Sequence, residues 1–285
     1  MFPAGDARFR TSYISVDLRG GSVTLRAIEC GEATSLNVAI CVHGWGCSVY
    51  SYRRLMPVLA QAGMRVVAID LLGHGLSDKS GDPTLYTLDA QTECVLAAMQ
   101  KLDISRAVLV GHSMGGPICA RAAVLAPERV KALALLAPAG FGTEWELRIL
   151  RAMTPSFVAP ALPRLLHRWM FSLVLNAVYG SRYRPTRRDV DEYWAPTQFP
   201  EFVRAMWDLL HHFEWNAGLD CGFGTITVPT AILDGRRDNL VVRKWVRRYV
   251  EVLPHAALVI IEHCGHVVPE EAPEVVAEAI GELIR

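Results

Sequence analysis

The chain has 285 residues, about half of them hydrophobic and a fifth charged, and its 29 basic and 29 acidic side chains cancel. That much apolar material supplies a large core, and a neutral balance argues against nucleic acid as a partner, which is bound through a basic face. The seven cysteines, at 30, 41, 47, 94, 119, 221 and 264, are scattered with no Cys-x-x-Cys spacing. That is the usage of buried reduced thiols, and it suits neither a disulfide framework nor a zinc site.

The first residues lack a positive stretch followed by an apolar one, so no secretory signal is expected. No apolar run nears the roughly 18 residues that span a bilayer. A cytoplasmic protein without a transmembrane segment is expected.

Residues 13–18 and 23–29 alternate polar and apolar around Gly20-Gly21, which predicts a hairpin with one solvated face. Residues 38–42 are a continuous apolar strand running into His43-Gly44-Trp45-Gly46. A helix is expected over 52–61, then a buried strand over 65–69 ending in Asp70-Leu-Leu-Gly-His-Gly-Leu-Ser-Asp78. An amphipathic helix over 88–102 leads to a strand over 106–110. Further strands are expected over 130–136, 227–233 and 257–261, with a terminal helix over 273–284. A hairpin followed by continuous strands alternating with helices is the pattern of an α/β fold with a mostly parallel sheet covered on both faces.

One stretch interrupts the alternation. From 141 to about 225 the pattern is almost all helical and holds five of the seven tryptophans, at 145, 169, 194, 207 and 215. The chain therefore divides into a core made of 1–140 and 226–285, and a helical cap at 141–225. From 147 to 188 the cap carries eight arginines and no acid; from 189 to 220 it carries seven acids and one arginine. The favoured reading pairs these halves with each other. The sharper one makes residues 162–179 an amphipathic lid in weak contact with lipid.

The chemistry centres on Gly111-His112-Ser113-Met114-Gly115, set between a strand and an alanine-rich helix over 116–125. A serine with glycine two before and two after meets the need of a nucleophile elbow, a turn too tight for bulky flanking side chains. A serine hydroxyl is a poor nucleophile at neutral pH, so it needs a base, and the base needs an orienting acid. Asp238 follows one predicted strand in Gly235-Arg-Arg-Asp238, and His266 follows the next in Glu262-His-Cys-Gly-His266. All three would meet at the carboxyl edge of the sheet, where open α/β folds place their ligands. Asp234 is the second choice for the acid, with less reach from its strand end. His263 lies close to its strand, His43 and His112 brace loops, and Asp70 and His74 are structural. His211-His212 lacks metal-ligand spacing, and no metal is expected.

These segments resemble the α/β-hydrolase superfamily, in its capped serine hydrolase branch of esterases, monoacylglycerol lipase-like enzymes and carbon–carbon bond hydrolases. The matching residues are His43-Gly44-Trp45-Gly46, Asp70 to Ser77, Gly111 to Gly116, Gly235-Arg-Arg-Asp238 and Gly265-His266-Val-Val-Pro-Glu270. The resemblance implies an eight-stranded sheet with the cap inserted after the sixth strand. It also implies attack by Ser113, proton transfer by His266, orientation of His266 by Asp238, and an oxyanion hole from the backbone N–H groups of Trp45 and Met114, without a cofactor. Serine at the elbow, where relatives carry aspartate, argues against epoxide hydrolase and haloalkane dehalogenase chemistry. Ala137-Pro138 after the 130–136 strand leaves no carboxylate for the variant that draws its acid from there.

The expected activity is hydrolysis of small to medium lipophilic carboxylic esters, with an apolar pocket from the tryptophan-rich cap. The alternative is cleavage of a lactone, or of a carbon–carbon bond in a dicarbonyl-like metabolite, favoured if a cap arginine faces inward. A ligand-binding protein without turnover is the remaining reading, and the intact Ser113, Asp238 and His266 weigh against it.

Overall fold

The first two strands, β1 (Phe9–Leu18) and β2 (Gly21–Cys30), pair antiparallel from Phe9 opposite Cys30 to Leu18 opposite Gly21. The hairpin runs further than its alternating stretch because buried Phe9 stacks edge-on against Phe2, ring centroids 4.9 Å apart. The computed structural model describes residues 2–19, 21–142, 145–155, 162–180, 183–241 and 243–285, without the side chains of 145, 146, 162 and 219.

Six further strands follow: β3 (Val38–Val42), β4 (Arg65–Ile69), β5 (Ala107–His112), β6 (Val130–Leu136), β7 (Thr230–Gly235) and β8 (Ala257–Ile261). They complete an eight-stranded sheet in the order β1-β2-β4-β3-β5-β6-β7-β8, antiparallel between β1 and β2 and between β2 and β4, and parallel from β4 to β8. β3 and β5 are buried along their whole length, as their unbroken apolar runs require of strands covered on both faces. Alternate residues serve opposite cores. Leu109 of β5 joins the cluster built with α2 (Leu88–Lys101) and α3 (Gly115–Leu125). Val108 and Val110 join the one built with α1 (Leu55–Gln61) and α12 (Pro273–Ile284).

Two further elements begin three residues later than expected. Residues 49–52 form a 3-10 turn whose N–H at Tyr50 is taken by the Ser48 hydroxyl at 3.2 Å, so α1 begins three residues later than the apolar pattern suggests. Arg53 and Arg54 occupy the gap, with their guanidinium groups engaged elsewhere. β7 starts at Thr230 because Pro229 has no N–H for the ladder and offers only its carbonyl, which accepts from Leu133 at 2.9 Å.

Between β6 and β7 the chain leaves the sheet for a helical insertion. It contains α4 (Trp145–Met153), α5 (Leu162–Leu165), α6 (Arg168–Val178), α7 (Arg187–Trp194), α8 (Pro200–His212) and α9 (Ala217–Asp220). α7 opens on a capping box in which Thr186 and Asp189 satisfy each other's backbone N–H groups. After β7 come α10 (Arg243–Val252), whose Val246 and Tyr249 join the Leu109 cluster, and, after β8, α11 (Val268–Glu271), whose Val268 joins the Val108 cluster. Among the described residues no helix is long and apolar enough to cross a membrane. The seven cysteines are free thiols, five of them buried, with Cys47 and Cys221 half-buried.

Candidate active site

Ser113 is the first residue past β5 and sits at φ +53°, a left-handed conformation that serine adopts only under constraint. The constraint is local. Its N–H donates to Leu136 O at 3.0 Å, and its carbonyl accepts from Gly116 at 2.9 Å and Ala139 at 3.1 Å. Glycine flanks it because nothing else fits. A Cβ on Gly115 would stand 2.0 Å from Val42 O, one on Gly111 2.3 Å from Gly115 O, and one on Gly116 2.6 Å from the Pro138 ring. The turn therefore lifts the half-buried serine off the sheet with its side chain above the start of α3. There the first N–H groups of a helix lack partners within it.

The loop after β3 closes on the same point. Gly44 approaches so near that a Cβ there would lie 3.0 Å from Ser113 Cβ, which brings the Gly44-Trp45 peptide beside the elbow. The Trp45 ring is fixed by its indole N–H donating to Met206 O at 3.1 Å and by an edge contact with Trp215, centroids 6.2 Å apart. His43 Nδ1–H donates to Gly44 O at 2.8 Å while its Nε2 accepts from Leu71 N–H at 3.1 Å. His74 accepts from Gly46 N–H at 3.3 Å. Burial lowers the pKa of both imidazoles, so they stay neutral braces of the loop. Asp70 is an anchor as well, its carboxylate taking N–H groups from Val49 at 2.8 Å and Leu76 at 2.9 Å and pairing with buried Arg26 at 3.3 Å.

Asp238 and His266 lie beyond the ends of β7 and β8. Register places Leu136 of β6 beside Leu233 of β7, and Gly235 of β7 beside Ile261 of β8. Both loops thus emerge at the edge where Ser113 stands, two and three strands away. His266 Nδ1–H donates to Asp238 Oδ2 at 2.8 Å, and both side chains are nearly inaccessible. The other carboxylate oxygen accepts from Leu240 N–H at 2.7 Å and Val241 N–H at 3.0 Å. Burial pushes the Asp238 pKa up, but the His266 charge and hydrogen bond and the two amides outweigh it, and the pKa ends below the ordinary carboxylate range. With Nδ1 committed as donor, Nε2 is left as the imidazole's basic nitrogen.

His112 reaches further than a brace of the elbow alone. Its Nε2–H donates to His266 O at 2.9 Å and its ring packs 5.0 Å from the His266 ring. Burial, and then the nearby His266 charge, push its pKa down to about 3, so it stays neutral. It ties the serine turn to the histidine loop.

Asp234 is buried at the end of β7 and hydrogen-bonds neither to His266 nor to any other group through Oδ1 among the described residues. Burial and the neighbouring Asp238 charge raise its pKa to about 7. An unfolded aspartic acid titrates near 3.9, so between about pH 4 and 7 the folded protein holds a proton that the unfolded chain has released. Stability accordingly falls as pH rises through that window and levels off above it, by on the order of a few kcal/mol in total. Asp234→Asn is expected to melt several degrees above the parent at pH 8 and to converge with it near pH 4. Equal melting temperatures across that range would show that Asp234 titrates normally.

The two loops meet through glycines. A Cβ on Gly235 would stand 2.1 Å from Gly265 O, and one on Gly265 would stand 2.3 Å from Val178 O at the end of α6. His266 N–H donates to Val178 O at 2.8 Å, so the insertion touches the histidine loop directly. Behind this contact lies a buried ionic knot that sequence reasoning missed. Glu270 accepts from the hydroxyls of Tyr179 and Tyr193 and pairs with Arg53 at 2.5 Å. Arg53 also pairs with Asp189 of α7 at 2.6 Å, which accepts from Tyr50 OH at 2.7 Å. The only signal in the sequence was two adjacent acids, Glu270-Glu271, inside an otherwise apolar and proline-punctuated run.

The insertion's charges divide between partners. Arg168 pairs with Asp191 at 2.6 Å and Arg188 with Glu192 at 3.7 Å, joining the basic and acidic halves. Arg151 donates to Leu210 O at 2.5 Å, and Arg148, Arg164, Arg184 and Arg187 are exposed; Arg182 lies outside the described residues. Four of the five insertion tryptophans have described side chains, that of Trp145 lying outside them. Trp194 and Trp207 donate to Leu166 O and Thr154 O within the insertion, Trp169 is 61% exposed on α6 beside exposed Leu173 and Val174, and Trp215 alone is seen to meet the Trp45 loop. His211 stacks on Trp207, centroids 4.1 Å apart, and among the described residues no group of His, Cys, Asp or Glu is arranged to hold a metal.

The fold has relatives among known proteins. The sequence profile of the alpha/beta hydrolase fold matches residues 37–273. The chain is 29% identical over 255 residues to the uncharacterized hydrolase YugF of Bacillus subtilis, covering 86% of this chain and 89% of that one. It is 28% identical over 250 residues to 2-hydroxymuconate semialdehyde hydrolase of Pseudomonas sp. CF600, covering 85% of each. The crystal structure of Cfl2 from Burkholderia cenocepacia superposes with a TM-score of 0.82 at 23% identity, over 98% of both chains. A profile match over most of the chain, together with similar hydrolases aligned along most of their length, shows that the chain belongs to the α/β-hydrolase family as a hydrolase.

Proposed function

We propose that this hydrolase cleaves small to medium lipophilic carboxylic esters through an acyl-enzyme on Ser113. The observation that carries the reading is Ser113 itself, a non-glycine residue forced to φ +53° at the mouth of the sheet. Strain of that kind persists where the surrounding structure over-determines it and a reactive group needs presenting. His266, its Nδ1–H held by Asp238, takes the serine proton at Nε2 as the hydroxyl attacks the carbonyl carbon. The backbone N–H groups of Trp45 and Met114 receive the negative charge that develops on the carbonyl oxygen, an interaction worth roughly 3–4 kcal/mol per donor in such sites. His266 returns the proton to the departing alkoxide, and a water deprotonated by the same nitrogen then clears the acyl group. The helical insertion acts as the cap, its Trp215 and Met206 supporting the Trp45 side of the pocket. The buried free thiols support a reducing, cytoplasmic setting.

The likeness to 2-hydroxymuconate semialdehyde hydrolase favours a second reading, carbon–carbon cleavage in an anionic dicarbonyl-like substrate by the same three residues. Against it, Arg168 and Arg188 are engaged with carboxylates and four further insertion arginines are exposed. Turnover of p-nitrophenyl esters from acetate to octanoate, measured beside a 2-hydroxy-6-oxodienoate, separates the two. Ester turnover rising with chain length is expected. Rapid cleavage of the dienoate with negligible ester turnover would replace the first reading by the second.

A further inference from the structure

Glu271 ends α11, five residues after His266, and its carboxylate is buried between two backbone segments. Oε1 accepts from Gly265 N–H at 2.8 Å, immediately before His266. Oε2 accepts from Gly180 N–H at 2.8 Å, in the segment that leaves α6 of the insertion. Beside this bridge runs the bond from His266 N–H to Val178 O, also 2.8 Å. The two segments lie backbone on backbone, since a Cβ on Gly180 would stand 2.2 Å from His263 O. One charged group therefore receives an amide from each side of the seam, and charge-assisted bonds to backbone N–H are the stronger kind. Burial raises the Glu271 pKa, and the two amides and Arg54 oppose that shift.

We propose that Glu271 is a positioning residue for the general base: it fastens the loop carrying His266 to residues 178–180 of the insertion, so that the docking of the insertion sets where the imidazole stands. The inference rests on His266 acting as the base, as proposed above. Glu271 acts on backbone one residue away from the imidazole. A displacement of about 1 Å at such a distance is enough to cost two powers of ten in rate, since proton transfer demands a short and aligned approach.

The test perturbs the seam from both sides. Glu271→Gln keeps the shape but presents an NH2 to one of the two amides, and Gly180→Ala forces its new methyl against His263 O. Each is expected to lower kcat for p-nitrophenyl butyrate about 10- to 100-fold with KM within about threefold, and to shift or broaden the downfield proton resonance of His266 Nδ1–H. The double variant should be about as slow as the slower single one, because both break the same coupling. Glu274→Gln, on the exposed face of α12, is the control and should change nothing. Unchanged kcat and resonance in folded Glu271→Gln, even with a lower melting temperature, would reduce the residue to a structural role and overturn the proposal. Multiplicative losses in the double variant would do the same, since the two sides would then act independently. If Glu271→Gln does not fold, Glu271→Asp, which keeps the charge but cannot span both amides, is read by the same criteria. Ester turnover that survives Ser113→Ala would remove the functional reading instead, and the His266 resonance in Glu271→Gln still decides this one.

Discussion

Ser113→Ala is expected to lower ester turnover by about five to six powers of ten while the protein stays folded. The loss is that large because nucleophile and base work as a unit, and what remains is only the contribution of the oxyanion donors and of binding. A fluorophosphonate probe should label the parent at Ser113 and leave the alanine variant untouched. Stability gives an independent check on the strained turn. Alanine keeps the Cβ and therefore the penalty of φ +53°, whereas Ser113→Gly releases it and should melt higher by an amount corresponding to about 1 kcal/mol or more, with equally little activity. Substantial turnover by a folded Ser113→Ala protein would move the chemistry away from this turn.

Asp238→Asn is expected to cost about 10⁴-fold in kcat/KM, and Asp234→Asn less than about threefold. The asymmetry follows from the hydrogen bonds each carboxyl makes. Asp238 uses one oxygen for the amides of Leu240 and Val241 and the other for His266 Nδ1–H. An asparagine that keeps its oxygen on the amides must turn its NH2 toward the imidazole, which then carries its proton on Nε2, where it cannot accept one from Ser113. Asp234 makes no bond to His266, and near neutral pH much of it already carries a proton, so an amide replaces what is largely a neutral acid. The depressed pKa of Asp238 adds a signature in stability. Its contribution is present above about pH 4, where the unfolded carboxyl ionises, and is lost as pH falls through the lower folded value. The reverse ranking of the two variants in kcat/KM would make Asp234 the orienting acid.

The sheet was readable where an apolar run ends cleanly at a loop, even at the largely exposed edge strand β8. β3, β4, β6 and β8 fall on the expected residues because each is a continuous aliphatic run ended by a loop residue, a pattern with few other outcomes. The serine, acid and histidine were readable for a related reason: each follows a parallel strand within five residues, so chain order nearly fixes position. The 3-10 turn before α1 was not, since Arg53 and Arg54 read as helix surface until Glu270, Asp189 and Tyr183 come into place around them. The partners of the insertion's tryptophans were not legible for the same cause. An aromatic ring records that something apolar is near, and which surface it meets is settled by the packing of short helices whose order along the chain says little about their neighbours.

The glycine seam bears on how this protein can be altered. Exchanging the insertion for that of another hydrolase, cut at the strand ends, would strip the amide of His266 of its acceptor and leave Glu270 without two of its hydroxyl donors. Arg53 would still neutralise Glu270, but a buried carboxylate that loses its hydroxyl donors is costly, so such chimeras should fail before their new pockets are ever sampled. Transplants that retain residues 178–180, Asp189 and Tyr193, and vary only the outer helices, keep the hinge between specificity and chemistry intact.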